Sequence, residues 1–385
     1  MTQLHFTLNI EEMTQELLHS NLNAVLKGQL ITVLNAYMEA ERDRCVNANS
    51  KEKTATRQAV RNGYYERALT IPVGTLQLKV PRTREGEFST ELFERYSRMD
   101  QSLYLTMMEA VIGGMSTRKV TKLVEALAGK SVSKSLVSNT MKRLDPEIQT
   151  WTNRTLSHTA YRYLYVDAMY IKVREDHRIV SKAVYIAQAV NQENKRELVG
   201  FKVSDKESHV AWSEFFTDLR MRGFTQPELI ISDAHSGLRS AIQEQFVGAS
   251  WQRCVVHFLR NIVTVIPRKG SEEARYLLKS IFRAPTYQHA VELKAAFIER
   301  VKADKKYAQA IGILEDGFAD ATQYYAFPVH THRSIKSTNS LENINAQVRR
   351  RERVIRIFPN IASAHRLIGA VLMDINETLQ NRKFF

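Results

Sequence analysis

The sequence predicts a mixed α/β core behind a mainly α-helical N-terminal region. Two observations indicate this. Strand-like segments follow one another after residue 160 and then alternate with helices, whereas residues 10 to 42 and 100 to 145 carry apolar side chains at three- and four-residue steps. The 385 residues are 44% hydrophobic and 25% charged, values that are ordinary for a globular protein and exclude disorder for most of the chain.

The charge balance indicates an anionic partner. Fifty-five Lys and Arg against forty-one Asp and Glu give a formal net charge of +14. Such an excess favours nucleic acid, because binding releases the counterions condensed on the polyanion, although an anionic surface or solubility alone would also account for it. No stretch approaches the ~18 apolar residues of a membrane span. Because Cys45 and Cys254 are the only cysteines, a disulfide framework is excluded and a reducing, cytoplasmic setting without membrane contact is expected.

The first hundred residues predict two small modules. Residues 1–60 are expected to hold a helix over 10–42, loosened or broken at Gly28, and then a polar linker over 43–58. Residues 61–99 form the second module, in which two short strands between Leu69 and Arg82 flank a Val-Gly-Thr turn. This β-hairpin could touch a DNA backbone or serve only as a structural ribbon.

Residues 100–150 predict three short helices with a helix-turn-helix pattern. Gly113-Gly114 and Gly129 end the first two helices, and Ser116 or Thr117 and Ser133 are suited to cap the second and third. In this motif the N-terminal residues of the last helix enter the major groove. An ordinary helical bundle with polar outer faces is the alternative. The candidate DNA contacts are Arg118, Lys119, Lys134, Ser135 and Asn139.

The part of the chain after residue 160 predicts the element order β-β-β-α-β-α-β. The strands are expected at Tyr163–Val173, Ile179–Val190, Leu198–Val203, Leu229–Ile231 and Trp251–Val256, with helices at Glu207–Arg222 and residues 236–246. An antiparallel meander followed by parallel strands is the order expected of a ribonuclease-H-like mixed sheet. Residues 155–257 would form its first part, 258–335 a helical insertion, and 336–385 its last part, with a helix over about 338–352.

Three acidic residues are candidates for one site. Asp167 lies inside an apolar strand, where a carboxylate is costly unless it is paired or bound to metal, although a hydrogen bond to a loop would also explain it. Asp233 directly follows a buried strand, at the edge where open α/β sheets place their sites, unless it only caps the next helix. Glu342 begins a helix amid basic residues, where a plain salt bridge is the alternative.

An Asp, Asp, Glu set suits phosphodiester chemistry. Three carboxylates can hold two Mg²⁺ ions, with Mn²⁺ as a possible substitute, and two such ions support in-line displacement at phosphorus. Cys254 and His257 form a Cys-x-x-His motif, but a closed zinc site is not expected because the chain has no second cysteine pair. Arg349, Arg350 and Arg353 follow Glu342 and could hold phosphates flanking the scissile bond, the alternative being a solvated face.

Several motifs together resemble a known family. They are Arg61-Asn62-Gly63-Tyr64, Val80-Pro81-Arg82, Ser116-Thr117-Arg118-Lys119-Val120, Tyr165-Val166-Asp167-Ala168, Val180-Ser181-Lys182-Ala183, Ile231-Ser232-Asp233-Ala234-His235-Ser236-Gly237-Leu238, Trp251-Gln252-Arg253-Cys254-Val255-Val256-His257-Phe258, Ser337-Thr338-Asn339-Ser340-Leu341-Glu342-Asn343 and Phe358-Pro359. In this order, over residues 60 to 375, the chain resembles Mutator-type transposases of bacterial insertion sequences. The resemblance implies a ribonuclease-H-like domain whose catalytic, metal-binding triad is Asp167, Asp233 and Glu342, with Cys254 and His257 beside it.

The resemblance also implies an activity and its partners. A transposase of this kind would bind the terminal inverted repeats of its own element as double-stranded DNA, cleave at the ends, and join the 3′ ends to target DNA. Concerted cutting of two ends implies a homodimer or higher oligomer. A metal-dependent nuclease without strand transfer and a non-catalytic helix-turn-helix regulator are the rival functions. The chain departs from the family at Arg356, where a glycine is frequent, so its loop geometry there is open.

Overall fold

The computed structural model describes residues 22–48, 57–71, 73–84, 88–93, 101–129 and 131–384. The chain divides into two compact units, Met1–Arg143 and Leu144–Phe385, and each is treated separately below. Within the described ranges, no helix combines the length and the apolar character that crossing a membrane would require.

Within the described part of the first unit, the chain begins with helix α1, Leu22–Val46, and the break predicted at Gly28 is wrong. The helix also runs past residue 42, so the predicted linker begins later than expected. An internal glycine costs a helix only about 1 kcal/mol. The packing of Leu34 and Met38 against the hairpin residues Leu76 and Leu78 offsets that cost. Residues 10–21 and 49–56 of the predicted helix and linker lie outside the described ranges.

The predicted β-hairpin is confirmed, although its strands are longer than expected. Strands β1, Arg61–Ile71, and β2, Gly74–Thr83, pair antiparallel along their length. Pro81 lies within β2 opposite Tyr64. A two-stranded ribbon consists only of edge strands, which tolerate a proline that cannot donate to the ladder.

The three helices predicted after residue 100 are confirmed as α2, Gln101–Ile112, α3, Thr117–Ala128, and α4, Lys134–Met141. Ser116 and Ser133 cap α3 and α4 through their hydroxyl oxygens, and Gly129 ends α3 with a φ of 62°. Their shared core contains Leu103, Met107, Val120, Val124, Ala128, Val132 and Val137. The assignment of α4 as a DNA-reading helix stays a prediction.

The second unit is built on a five-stranded mixed sheet with the order β5-β4-β3-β6-β7. Its strands are β3, Tyr161–Glu175, β4, Arg178–Asn191, β5, Arg196–Ser204, β6, Leu229–Ser232, and β7, Ser250–Arg253. The first three strands pair antiparallel, whereas β6 runs parallel to β3 and β7 parallel to β6. The predicted order of strands and helices is therefore confirmed.

The predicted C-terminal end of the last strand, β7, is wrong. Val255 and Val256 belong to the helix that begins at Val255 and not to β7, which ends at Arg253. The backbone N–H of Cys254 still donates to the Ser232 carbonyl, at 2.7 Å, and the chain then turns. Val255, Phe258 and Ile262 are buried on one side of that helix, so helical spacing overrides the β-like composition of the segment.

Helices fill the rest of this unit, including the predicted insertion over 258–335. They are α5, Asp145–Thr152, α6, His209–Met221, α7, Ser236–Gln245, α8, Val255–Val265, α9, Glu272–Ile281, α10, Tyr287–Val301, α11, Ala308–Ala321, α12, His332–Ile335, α13, Asn339–Ile355, and α14, Ile361–Gln380. Helices α6 and α7 pack on one face of the sheet, where Trp212, Phe215 and Phe216 form the centre of the main core. Because side chains alternate along a strand, Asp167 points to the other face, toward α13.

Candidate active site

Asp167 and Asp233 lie side by side at the junction of two parallel strands. Tyr165 on β3 pairs with Ile231 on β6, and each aspartate comes two residues after its paired residue. Neighbouring strands are about 4.8 Å apart, so this register brings the two carboxylates together. Burial and then the charge of Asp233 raise the pKa of Asp167 to about 7. The pair therefore concentrates negative charge where little water screens it.

Helix α13 brings Glu342 to the same place. Its buried residues are Leu341, Ile344, Asn345 and Val348, which fixes the side of the helix that faces the sheet. The Glu342 Oε1 atom lies 3.3 Å from His257 Nε2 on α8. The hydrogen bond with Cys254 raises the pKa of His257, and the charges of Asp167 and Glu342 raise it further. The histidine thus interacts with both carboxylates and connects the sheet to α13.

Asn345 joins Glu342's helix directly to the first aspartate. Asn345 lies one helical turn after Glu342, and its Nδ2 donates a 2.7 Å hydrogen bond to Asp167 Oδ2. The residue is buried, and its Oδ1 has no hydrogen-bond partner in the described part of the chain. A second polar contact, 2.7 Å from Ser340 Oγ to Gln188 Oε1, fixes the start of α13 on strand β4. These two bonds set the position of the helix over the sheet.

Cys254 fixes the start of α8 against the start of α13. Its buried sulfur accepts hydrogen bonds from the backbone N–H and the hydroxyl of Thr338, at 3.4 and 3.3 Å. Burial alone would raise the pKa of the thiol, but hydrogen bonds with His257 and Thr338 outweigh burial and lower it. The Cys-x-x-His motif therefore holds together the two helices that carry His257 and Glu342.

A fourth carboxylate, which sequence reasoning missed, lies next to Asp233. Glu207 Oε1 accepts a 3.1 Å hydrogen bond from Trp212 Nε1 and lies 3.4 Å from His235 Nδ1. The backbone N–H of His235 donates in turn to Asp233 Oδ1 at 3.2 Å. Burial raises the pKa of Glu207, and the charge of Asp233 adds to the increase. This arrangement supports the turn that presents Asp233.

Gly237 allows this support to approach closely. A Cβ atom at Gly237 would lie 2.7 Å from the backbone N of His209 and 3.1 Å from the carbonyl carbon of Ser208. Any other residue at position 237 would therefore force the first turn of α7 away from the start of α6. The sequence signal for this contact was the His-Ser-Gly run directly after Asp233, which indicates a tight turn into a helix.

The carboxylate and amide oxygens of these side chains are suitable ligands for a hard divalent cation. Carboxylate oxygens are the ligands that Mg²⁺ prefers, and both the raised pKa of Asp167 and the unpartnered Oδ1 of Asn345 mark a place where positive charge or water would be stabilised. Within the described ranges, no group of three or more His, Cys, Asp and Glu side chains could hold a metal ion. The carboxylate of Glu342 is turned to His257. The assignment of the three acids as metal ligands stays a prediction.

The candidate DNA contacts fall into two groups. Arg349, Arg350 and Arg353 are exposed on α13, about two to three turns beyond Glu342. Arg118, Lys119, Lys134, Ser135 and Asn139 are all exposed on α3 and α4 of the N-terminal unit. Exposure leaves each of these side chains free to reach a ligand, and their role in binding stays a prediction.

The departure from the family at Arg356 has a structural consequence. Arg356 adopts a φ of 66° and a ψ of −51°, and the N–H of Ile357 donates to the carbonyl of Ile355 at 2.8 Å. This is a classic γ-turn, a rare and strained conformation that disfavours side chains with a Cβ. The turn delivers the buried Phe358 to β3, where its backbone bonds with Lys172 and Arg174 at 2.9 and 2.8 Å.

Comparisons with known proteins identify the family of this chain. The family profile described as "Transposase, Mutator family" matches residues 1–381. The chain is 49% identical over 377 residues to the "Transposase for insertion sequence element IS256 in transposon Tn4001" of Staphylococcus aureus, an alignment that covers 98% of this chain and 96% of that protein. It is 38% identical over 352 residues to the "Transposase for insertion sequence element ISRM5" of Rhizobium meliloti, covering 91% and 88%.

Among solved structures, the "Drosophila P element transposase strand transfer complex" aligns over 78% of this chain and 83% of that chain. Its TM-score of 0.30 and 12% sequence identity are too low to bear on the fold. The family assignment rests instead on the profile and on the full-length relatives. The chain belongs to the Mutator family of transposases.

Proposed function

We propose that this protein is a DNA transposase that binds the terminal inverted repeats of its insertion sequence, cleaves at the element ends and joins the 3′ ends to target DNA. The observation that carries the proposal is the convergence of Asp167 and Asp233 on adjacent parallel strands beneath the helix that bears Glu342. Asp167 and Asp233 come together where little water screens their charge, which is costly without a function, and Glu342 on the helix above them would complete the set.

The chemistry follows from the residues. Asp167, Asp233 and Glu342 would hold Mg²⁺ or Mn²⁺, which supplies Lewis acidity at the attacking and leaving oxygens of the phosphodiester. Asn345 orients Asp167, and the turn supported by Glu207 orients Asp233. The strand order, with an antiparallel meander beside two parallel strands, supports a ribonuclease-H-like core for this reaction.

DNA binding would use both units. The net charge of +14 supports attraction to a polyanion. The exposed side chains of Lys134, Ser135 and Asn139 at the start of α4 suit base contacts in a major groove, and Arg118 and Lys119 suit phosphate contacts. One chain would supply one Asp, Asp, Glu set, so the concerted cutting of two ends would require a homodimer or a larger assembly.

A supercoiled plasmid that carries two terminal repeats tests the proposal. With Mg²⁺ or Mn²⁺, the protein is expected to cut at the repeat ends and to join the released 3′ ends to a second plasmid, and EDTA or Asp167→Asn should stop both steps. A product that is cut but never joined would identify a nuclease without strand transfer. Binding without any cleavage would identify a regulator, and either result would refute the proposal.

A further inference from the structure

A cleft opens in the helical insertion, between the start of α10 and the end of α11. Its volume is about 350 Å³, near the lower end of the range for sites that bind small molecules. Two tyrosines and two alanines give it a largely apolar wall, and a threonine and a glutamine add polar groups. We name its lining residues the insertion cleft, and they are Tyr287, Ala319, Thr322, Gln323, Tyr325 and Ala326.

The two tyrosine rings of the insertion cleft are held at a steep angle to each other. Their centroids lie 6.1 Å apart and their planes meet at 69°, and Tyr287 is 49% exposed. Tyr325 is fixed, because its hydroxyl donates to the carbonyl of Ala284 at 2.8 Å and its ring packs edge-on against His332 at 5.5 Å. Exposed aromatic rings on a rigid support are the platforms on which unpaired nucleobases stack.

Three cations lie beside this cleft, and we name Arg283, Arg333 and Lys336 the cation cluster. The Nζ atom of Lys336 donates to the carbonyl of Phe282 at 3.3 Å, directly before Arg283. Burial and then the charges of Arg283 and Arg333 lower the pKa of Lys336. In the described part of the chain, none of the three forms an ion pair. Their positive charge is therefore uncompensated, and a phosphate group would balance it.

The cation cluster lies over the sheet face that carries Asp167. Alternate side chains of a strand share a face, so Tyr165 points to the same side of β3 as Asp167. Leu164 and Val166 lie in the main core on the other side. The hydroxyl of Tyr165 donates to the carbonyl of Ser334 at 3.3 Å, and this bond places α12 over the face of Asp167. A DNA strand at the candidate acids can therefore reach the cluster without crossing the sheet.

The start of α8 connects the cation cluster with the third candidate acid. The backbone N–H of Val255 donates to the carbonyl of Lys336 at 2.9 Å. His257, two residues further along α8, lies 3.3 Å from the carboxylate of Glu342. The first turn of one helix thus contacts both the backbone of the cluster and the side chain of the acid, so the two sites are neighbours.

We propose that the insertion cleft and the cation cluster together bind one unpaired nucleotide of the DNA strand beside the scissile phosphate. The base stacks on Tyr287 and contacts Tyr325, and its phosphate binds Arg283, Arg333 and Lys336. A paired base cannot enter the cleft, because its neighbours in the duplex cover both of its faces. This inference rests on the proposed function, because it takes DNA as the ligand and the three acids as the cleavage site.

Binding of two terminal-repeat duplexes to the full-length protein tests the cleft. One duplex is blunt at the cleavage site, and the other carries a short single-stranded extension there, with 2-aminopurine as its first unpaired base. We expect the extension to strengthen binding and the protein to quench the 2-aminopurine fluorescence. Tyr287→Ala should remove the quenching and weaken binding of the extended duplex about tenfold, the loss of one stacked base, while blunt-duplex binding stays within about twofold. Tyr287→Phe keeps the ring and should behave as wild type.

A salt titration with the extended duplex tests the cation cluster. Each phosphate contact with a single strand contributes about 0.7 to the slope of log K against log salt, so Arg283→Gln with Arg333→Gln should lower the slope by about 1.4. Arg300→Gln with Lys302→Gln is the matched control, because both of these exposed cations already form ion pairs, at 2.7 and 2.6 Å. The control should leave the slope unchanged, and an unchanged slope in the cluster variant would overturn the assignment of the phosphate.

Tyr276→Ala is the aromatic control, because Tyr276 is 69% exposed on α9 and does not line the insertion cleft. It should bind both duplexes as wild type does. Equal weakening of both duplexes by Tyr287→Ala would overturn the inference, and so would an extension that adds no affinity. Tighter binding of free 2-aminopurine deoxynucleotide than of the extended duplex would assign the cleft to free nucleotides and overturn it as well.

The same samples separate this inference from the proposed function. If the inference fails while the wild type still joins the extended duplex to a plasmid, the proposed function stands without the cleft. If the wild type binds neither duplex, the proposed function and the inference are both refuted.

Discussion

Asn345 donates a 2.7 Å hydrogen bond from Nδ2 to Asp167 Oδ2, across 178 positions of the chain. The donor lies one turn after Glu342 on α13, and the acceptor is the aspartate on the central strand β3. One side chain therefore fixes the distance between the first and third acids of the candidate triad. Because the acceptor is a carboxylate that is partly withdrawn from water, the bond is of the stronger, charge-assisted kind.

Removing this amide should impair the reaction more than the fold. We expect Asn345→Ala to lower the rate of end cleavage at least tenfold and the free energy of unfolding by about 1–3 kcal/mol, because the carboxylate of Asp167 loses its donor. Single-turnover cleavage and urea unfolding provide the two measurements. Asn343→Ala, at an exposed position on the same helix, is the control and should change neither. Wild-type cleavage by Asn345→Ala would contradict the positioning role.

The raised pKa of Asp167 predicts a pH-dependent stability. Its pKa rises from 3.8 to about 7 in the folded chain, so the unfolded chain releases this proton first as the pH rises. The free energy of unfolding should therefore fall between pH 4 and pH 7, by at most about 1.4 kcal/mol per pH unit. Urea unfolding in EDTA measures this slope. Asp167→Asn should show a shallower slope and greater stability at pH 7, and an identical slope would show that Asp167 is not the source.

Much of the fold was predictable because the sequence pattern and the packing agree. Apolar strands such as Leu229–Ser232 and helices with an apolar face have one way to bury their side chains, so the order of elements after residue 160 follows from the pattern. The errors at Gly28 and at Val255 arise where tertiary packing outweighs local preference. The sequence pattern did not lead us to predict helix α14. On this helix the Oδ1 atom of Asn376 accepts a 2.8 Å hydrogen bond from the backbone N–H of Leu198, which bonds the helix to β5.

The candidate site was predictable only in part. Asp167 and Asp233 are conspicuous because each interrupts or ends an apolar strand. The roles of Asn345 and Glu207 depend on contacts with distant parts of the chain, and nothing in the neighbouring residues distinguishes a buried amide from an exposed one. Asn343 and Asn345 are two positions apart, yet only Asn345 is buried, because helical spacing turns Asn343 to solvent.

The γ-turn at Arg356 predicts a stabilising substitution. Glycine adopts a φ of 66° without the steric cost that a Cβ atom incurs. Arg356→Gly should therefore raise the free energy of unfolding by about 1 kcal/mol. The control is Arg349→Gly, in the middle of α13, which should lower it by about 1 kcal/mol because glycine weakens a helix interior. Urea unfolding measures both free energies. A loss of stability in Arg356→Gly would show that the contacts of the arginine side chain stabilise the fold by more than the strained backbone destabilises it.

The exposed arginines beyond Glu342 predict a salt-dependent effect on binding. Arg350→Ala with Arg353→Ala should lower both DNA affinity and cleavage, since the planar guanidinium group bonds phosphate oxygens in pairs. The loss of affinity should shrink at high salt, where such contacts are already weak. Binding of a terminal-repeat duplex across a salt titration is the measurement. An unchanged salt slope would show that these side chains form only a solvated face.

The central claim is that Asp167, Asp233 and Glu342 act together as one catalytic set. Its most direct test is the joining of a terminal-repeat duplex with a free 3′ end to a plasmid, with binding of the same duplex measured in parallel. We expect Asp167→Asn, Asp233→Asn and Glu342→Gln each to abolish joining and to leave binding within about twofold of wild type, because the amides keep the shape but lose the charge. Glu352→Gln, on the same helix, should join normally. Joining by Glu342→Gln near the wild-type rate would contradict the account.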